Sequence, residues 1–241
     1  MEAQSRARLA IAKRVEELGI QDFLRTTKSL LMNEDLKVMS NGLPDWWHVN
    51  ENVLLSATEA PVRIATHQGE PVPQRSVIII GKNVTPPTIT LWGACSIVIL
   101  GNDVYMPDGS YSCGPNSTII IEDKTAATSG PRVNCRNGGI IFIGSDGLWS
   151  ANIRIFSDDM HAILNLSDNK RINDFGGKVI VEEHVWLGYD AMLLPGTQLG
   201  RDSIVGARSV VSKPMPSNSI HAGIPAKTVR SDVTWDKADL P

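Results

Sequence analysis

The apolar positions of this chain follow neither the spacing of an amphipathic helix nor simple strand alternation over most of its length. Five short runs stand out: Ser76–Gly81 (SVIIIG), Ser96–Gly101 (SIVILG), Ser117–Glu122 (STIIIE), Gly139–Gly144 (GIIFIG) and Lys178–Glu183 (KVIVEE). Each is rich in β-branched residues and ends on an aliphatic residue followed by Gly or Glu, which predicts a short strand and then a bend. The first four begin 20, 21 and 22 residues apart. Downstream the rhythm tightens. Val181, Leu187, Leu193, Leu199, Val205 and Val211 recur at a strict spacing of six. Four places after the first five of these come Val185, Ala191, Thr197, Ser203 and Ser209, all small or β-branched, and Gly188, Gly200 and Gly206 directly follow three of the aliphatics.

A chain that turns a corner every six residues satisfies this pattern. The large aliphatic of each hexad points inward, the small residue packs beneath a corner, and Gly relieves the backbone at the bend. Three hexads make a triangular coil of eighteen residues, and spacings of 20 to 22 are such a coil with a little extra loop. Stacked coils pair as parallel strands and align equivalent aliphatics in ladders. The fold class is therefore mainly β, a parallel β-helix solenoid, with roughly seven repeating coils between Ser76 and Pro225. An evenly spaced β-sandwich would instead show period-two alternation and polar hairpin turns.

An open stack needs capping at both ends. Residues 1–75 are expected to form a helical and extended N-terminal cap. Leu9, Ala10, Ala12, Val15, Leu18 and Ile20 make a helical stripe among charged residues, Gly19 stops that helix, and Asp22–Met32 forms a second. This segment reads as a lid over the first coil, with Trp46 and Trp47 packing on it after the turn at Asn41, Gly42 and Pro44. Residues 76–230 form the β-helix, interrupted by an inserted loop at 156–178. Residues 231–241, with Trp235, form a tail that closes the last coil.

Composition narrows the function. Among 241 residues, 23 Lys and Arg stand against 26 Asp and Glu, a net charge of −3, which argues against a nucleic-acid partner. The longest uncharged stretch, Asn83–Asn102, contains Pro86, Pro87 and Gly93 and does not read as a membrane span. The three cysteines, Cys95, Cys113 and Cys135, form no CxxC pair and are odd in number, so disulfide staples are not expected. The first residues show no signal-peptide pattern, and the expected location is cytoplasmic.

The hexads, followed by Gly206–Val211 (GARSVV) and Gly223–Lys227 (GIPAK), resemble the hexapeptide-repeat acyltransferases, and among them the polysaccharide and sugar O-acetyltransferases. The resemblance runs from about Ser76 to Arg230. It implies a left-handed β-helix, a homotrimer, and acetyl transfer from acetyl-CoA in clefts between subunits. No metal is expected, because His161, His184 and His221, 23 and 37 residues apart, do not match the spacing of a three-imidazole site.

The hexad rhythm lapses between Ile155 and Val181, where the chain reads FSDDMHAILNLSDNKRINDFGGK. Chemistry concentrates on loops held by rigid scaffolds. Acetyl transfer needs a base for the acceptor's proton, and histidine, with an ordinary pKa of about 6.5, suits that work near neutrality. His161 lies in this insertion, and Asp159-Met160-His161 resembles the family motif containing the catalytic base. A carboxylate such as Asp159 would fix the ring tautomer. Trp186, in the HVWLG segment, matches a family position that approaches the thioester, where an indole N–H could meet developing charge. The same matching places Gly188, Ala207, Ser212 and Lys213 along the pantetheine arm, and Lys227 and Arg230 at the coenzyme phosphates. His184 and His221 are expected to be structural.

Several positions depart from the family pattern: Ile163-Leu164-Asn165 after the motif His, Asp168-Asn169 in the loop, Tyr189 after Gly188, and Arg208 after Ala207. They bear on the acceptor and on contacts to the coenzyme, and leave the base in place. The leading expectation is acetylation of a saccharide hydroxyl in surface-polysaccharide or glycoconjugate synthesis. N-acetylation of a nucleotide-linked amino sugar, and a non-catalytic β-helix scaffold, are the alternatives.

Overall fold

The computed structural model describes residues 2–19, 26–31, 35–58 and 60–238. The architecture is mainly β: a left-handed parallel β-helix of hexapeptide repeats with helical elements at its N-terminal side. Among the described residues the strands form three sheets of nine, seven and six strands, the three faces of a triangular prism. The first face carries the strong apolar runs, Val77–Ile80, Ile97–Leu100, Thr118–Ile121, Ile140–Ile143 and Lys178–Val181. The second includes Thr88–Leu91, Ser110–Cys113, Arg132–Cys135 and Arg154–Phe156. The third includes Leu148–Trp149, Trp186–Leu187 and Ile204–Val205.

The hexad reading maps directly onto this prism. Val181, Leu187, Leu193, Leu199, Val205 and Val211 are all sealed in the interior, with exposures of 0–1%. The companion residues Val185, Ala191, Thr197, Ser203 and Ser209 are equally buried beneath the corners. Register partners such as Ile180 and Gln198, Leu187 and Val205, and Leu193 and Val211 lie eighteen residues apart, one full coil. Asn and Asp recur at the corners with positive φ, among them Asn116, Asn137, Asp146 and Asp202, because these residues tolerate left-handed backbone better than others.

The N-terminal end departs from the expected lid. Parallel pairing begins one coil early, with Val53–Ser56 against Val77–Ile80. The helix Glu2–Leu18 lies along the side of the stack, not over its end. Its buried Ala7, Ile11 and Val15 pack on outward side chains of the first face, in a cluster that includes Val77, Ile99, Ile120, Phe142 and Ile180. Arg14 fastens it, donating to the carbonyls of Asn116 (2.6 Å) and Gly138 (2.7 Å). In the strong runs of this face the outward positions are therefore apolar except Thr118, which accepts from Arg14 Nε at 3.2 Å, and the exposed Lys178: the sheet is covered on both sides along most of its length. The end itself is plugged by the short helix Trp46–Val49, whose Trp47 is fully buried in the interior cluster. Gly19 ends the long helix at φ +65° as expected. Of the second expected helix, Thr26–Leu31 is described; positions 22–25 and 32 lie outside the described residues.

At the other end, Ala226–Ser231 pairs antiparallel with Ser219–Gly223. At the start of the stack Lys37–Val38 pairs antiparallel with Val53–Ser56. The segment after Ser231 does not close the last coil but turns back along a corner, where Val233 N–H donates to the Asn218 carbonyl. Positions 239–241 of this tail lie outside the described residues. Among the described residues no helix is long and apolar enough to cross a membrane. All three cysteines are free thiols, and burial pushes the Cys135 thiol up to about 11.

Candidate active site

The insertion leaves the prism where the second face turns into the first. Elsewhere that corner is a tight bend, as at Arg136–Gly139 between Arg132–Cys135 and Ile140–Ile143. Here Ser157 and Gly177 close a neck instead, with Gly177 N–H donating to the Ser157 carbonyl at 2.7 Å. The buried Ser157 hydroxyl accepts from the Arg136 amide at 3.0 Å, tying the neck to the coil below. Asp158, 4% exposed, accepts from the amides of Met160 (2.6 Å) and Gly176 (2.9 Å). Gly176 has φ +79°, and a Cβ there would overlap the Asn137 carbonyl, so no other residue fits.

Beyond the neck the loop is a small hairpin. Ile172 N–H donates to the Ile163 carbonyl (2.8 Å) and Asn165 N–H to the Lys170 carbonyl (2.8 Å), with the Ser167–Lys170 tip between them. Asn173 joins the arms: its Nδ2 donates to Asp159 Oδ2 and to the His161 carbonyl, both at 2.9 Å, and its Oδ1 accepts from the Ile163 amide. Asn173 was not singled out in the sequence, because a side chain that bridges two loop arms leaves no periodic mark. The His161 ring is exposed and makes no hydrogen bond or ion pair among the described residues. The Asp159 carboxylate is held by Asn173 and does not bond that ring.

Trp186 stands on the third face, 38% exposed and pointing outward. Beside it lies Trp235 from the tail, with ring centroids 6.2 Å apart. Trp235 stacks on His184 at 4.1 Å and 9°, and its indole N–H donates to the His184 carbonyl at 2.9 Å. His184 Nδ1 in turn lies 2.8 Å from Asp202 Oδ1. His184 is thus a structural corner residue. His221 is also structural, buried between the Pro216 carbonyl and the Thr228 hydroxyl, and burial lowers its pKa.

The prism fixes how the remaining candidates are distributed. Ser212 and Lys213 occupy the same corner as the hairpin, further along the stack, and are exposed. Gly188 and Ala207 sit at the corner between the third and second faces; Gly188 is buried, with its missing Cβ position only 2.6 Å from the Ala207 amide. Lys227 and Arg230 are exposed on the outermost strand of the third face. Within one chain, then, His161 and Trp186 lie on opposite sides: one on the corner between the first two faces, the other on the face across from it. Six outward apolar hairpin residues, including Ile163, Leu166 and Phe175, are exposed in the single chain. No group of three His, Cys, Asp or Glu side chains that could hold a metal occurs among the described residues.

No protein-family model matches the chain. It is 34% identical over 153 residues to a galactoside O-acetyltransferase of Lactococcus lactis subsp. lactis (strain IL1403), covering 63% of this chain and 61% of that protein. It is 31% identical over 135 residues to a polysialic acid O-acetyltransferase of Escherichia coli O1:K1 / APEC, covering 55% and 43%. The chain thus spans about three fifths of the first relative's length and less than half of the second's. Among solved structures, the polysialic acid O-acetyltransferase OatWY superposes with a TM-score of 0.66 at 26% identity, over 74% of this chain and 89% of that one. The polySia-specific acetyltransferase NeuO gives 0.53 at 25% identity, over 75% and 87%. In sequence and in the course of its backbone the chain is similar to the hexapeptide-repeat O-acetyltransferases, the family its hexads resemble.

Proposed function

We propose that the protein is an acyltransferase that moves the acetyl group of acetyl-CoA directly to a saccharide hydroxyl, in a site formed between neighbouring copies of a homotrimer. The observation that carries this reading is the single interruption of the coil rhythm: a hairpin with a locked neck presents an exposed imidazole beside an otherwise regular wall. His161 takes the proton of the acceptor hydroxyl as its oxygen attacks the thioester carbonyl. The carbon–sulfur bond then breaks, and the same imidazole returns the proton to the departing thiolate. Asp159 is a positioning residue in this reading. Through Asn173 it fixes the backbone that carries His161.

Because His161 and Trp186 lie on opposite sides of one chain, each site takes the hairpin of one copy and the third face of the next. Trp186 then donates its indole N–H toward the thioester oxygen as charge develops there. Trp235, seated on His184, limits the orientations open to the Trp186 ring. Gly188, Ala207, Ser212 and Lys213 follow the pantetheine arm, and Lys227 and Arg230 meet the phosphates. The exposed apolar hairpin is covered by the neighbouring copy, and the chain works in the cytoplasm, where acetyl-CoA is made.

The test is acetyl transfer from acetyl-CoA to a panel of oligosaccharides, read as released thiol and as the mass of one added acetyl group. His161→Ala should lower turnover by about 10²- to 10⁴-fold while the thermal melting curve stays in place. Undiminished transfer in that variant would remove the proposed base.

A further inference from the structure

The second face carries an arrangement that the transfer chemistry leaves unused. Its outward positions form a row in strict parallel register: Arg63, Thr88, Ser110, Arg132 and Arg154. Arg132 and Arg154 are direct neighbours in that row, and both are exposed. Like charges placed opposite one another on a sheet repel. None of the described strands of this face contains an Asp or Glu to offset them. Neither arginine forms an ion pair with any described residue, although the chain as a whole has an excess of acids. Acids stand at the corners before this row: Asp108, two positions before Ser110, and Asp190, whose carboxylate faces Arg208 at 3.9 Å.

The row also has a direction. Arg154 opens the strand Arg154–Phe156, which runs straight into Ser157 and the hairpin that bears His161. From Arg63 to Arg154 it spans four strand spacings, about 19 Å, the reach of an oligosaccharide and not of one sugar ring. Thr88 and Ser110 add hydroxyls that can donate to or accept from sugar hydroxyls. A guanidinium fork is shaped for bidentate contact with a carboxylate.

We propose that this row is the acceptor track, and that the acceptor is an acidic glycan whose carboxylates are gripped by Arg132 and Arg154. The inference rests on the acetyltransferase reading for its direction toward His161, and on the unneutralised arginine pair for its chemistry. It names the substrate class of that same site. The phosphates of coenzyme A share the anionic character but are assigned to Lys227 and Arg230 on another face.

Binding without turnover tests it, using the full chain. Polysialic acid and oligogalacturonate serve as carboxylated probes, maltohexaose as the neutral one, and coenzyme A as the phosphate control, each titrated by calorimetry at low and at moderate salt. At least one carboxylated glycan should bind more tightly than maltohexaose and weaken as salt rises. Arg132→Gln and Arg154→Gln should each raise its Kd about tenfold, Arg154→Lys should recover part of the loss, and the Kd for coenzyme A should not move. His161→Ala should bind the glycan as the unaltered protein does. Where transfer is measurable, the Gln variants should raise KM for the acidic acceptor and leave kcat in place. The proposal is overturned if neither acidic glycan binds better than maltohexaose, if the Gln variants bind it unchanged, or if only coenzyme A binding suffers. Arginine-dependent glycan binding without any acetyl transfer would instead count against the transfer reaction alone.

Discussion

At the hairpin neck two residues face opposite demands: Asp158 must keep a charge while largely out of water, and Gly176 must carry no Cβ. Burial by itself would raise the Asp158 pKa. The amides of Gly176 and Met160, the Asn137 side chain and the Arg171 charge outweigh that and hold the carboxyl below its ordinary value. A carboxyl whose folded pKa is depressed stabilises the fold above its unfolded pKa, about 3.9, and that contribution is lost as pH falls through the folded value. Thermal melts from pH 6 down to 3 should therefore show the unaltered protein more stable than Asp158→Asn at the upper end. The gap should narrow below about pH 4. A gap independent of pH would mean that the charge is not what locks the neck.

Among the elements, the helix Glu2–Leu18 ties several coils together, because it packs along strands from successive coils. Ile11 is its largest fully buried side chain, 1% exposed, so Ile11→Ala should cost about 2–5 kcal/mol in chemical denaturation. A cost near zero would show that the helix does not stay docked in solution. That docking is also where reading the sequence reached only part of the answer. The expected stripe of Leu9, Ala10, Ala12, Val15 and Leu18 is only partly right: Leu9 (72% exposed) and Ala12 face outward, and the covered side is Ala7, Ile11 and Val15. Nor does a stripe say what covers it. The covering surface was nonetheless written in the runs SVIIIG and SIVILG, which alternate with no polar residue. A strand with both sides apolar needs cover on both sides, and a lid over one end could not provide it. Past Lys178–Val181 the outward positions of the same face become Gln198 and Pro214, both exposed, which marks where the cover stops. The hexads were fully legible because every sixth position answers to one interior. The hairpin was legible as a lapse in that rhythm, whereas the Asn173 bridge depends on how two loop arms happen to face.

For the molecule as a whole, the separation of His161 and Trp186 makes a demand on assembly. If each site in the proposed trimer takes its imidazole from one copy and its indole from the next, two inactive variants can repair each other. His161→Ala and Trp186→Ala, unfolded together in equal amounts and refolded, should regain about a quarter of the unaltered rate, since a random trimer pairs an intact hairpin with an intact third face at one site in four. The two variants refolded separately and then combined should not. Recovery absent in the co-refolded sample would place both groups within one chain's own site.

The antiparallel strands Lys37–Val38 and Ala226–Ser231 carry a consequence of a different kind. Coils that repeat in register form a template on which further chains could dock end upon end, as in a filament. A strand running the wrong way offers the next coil no matching ladder. The first face is blocked in this manner at its beginning and the third at its finish, while Pro214, lacking an amide hydrogen, sits on the outermost strand of the first. The same chain that builds a regular column thus limits its own polymerisation.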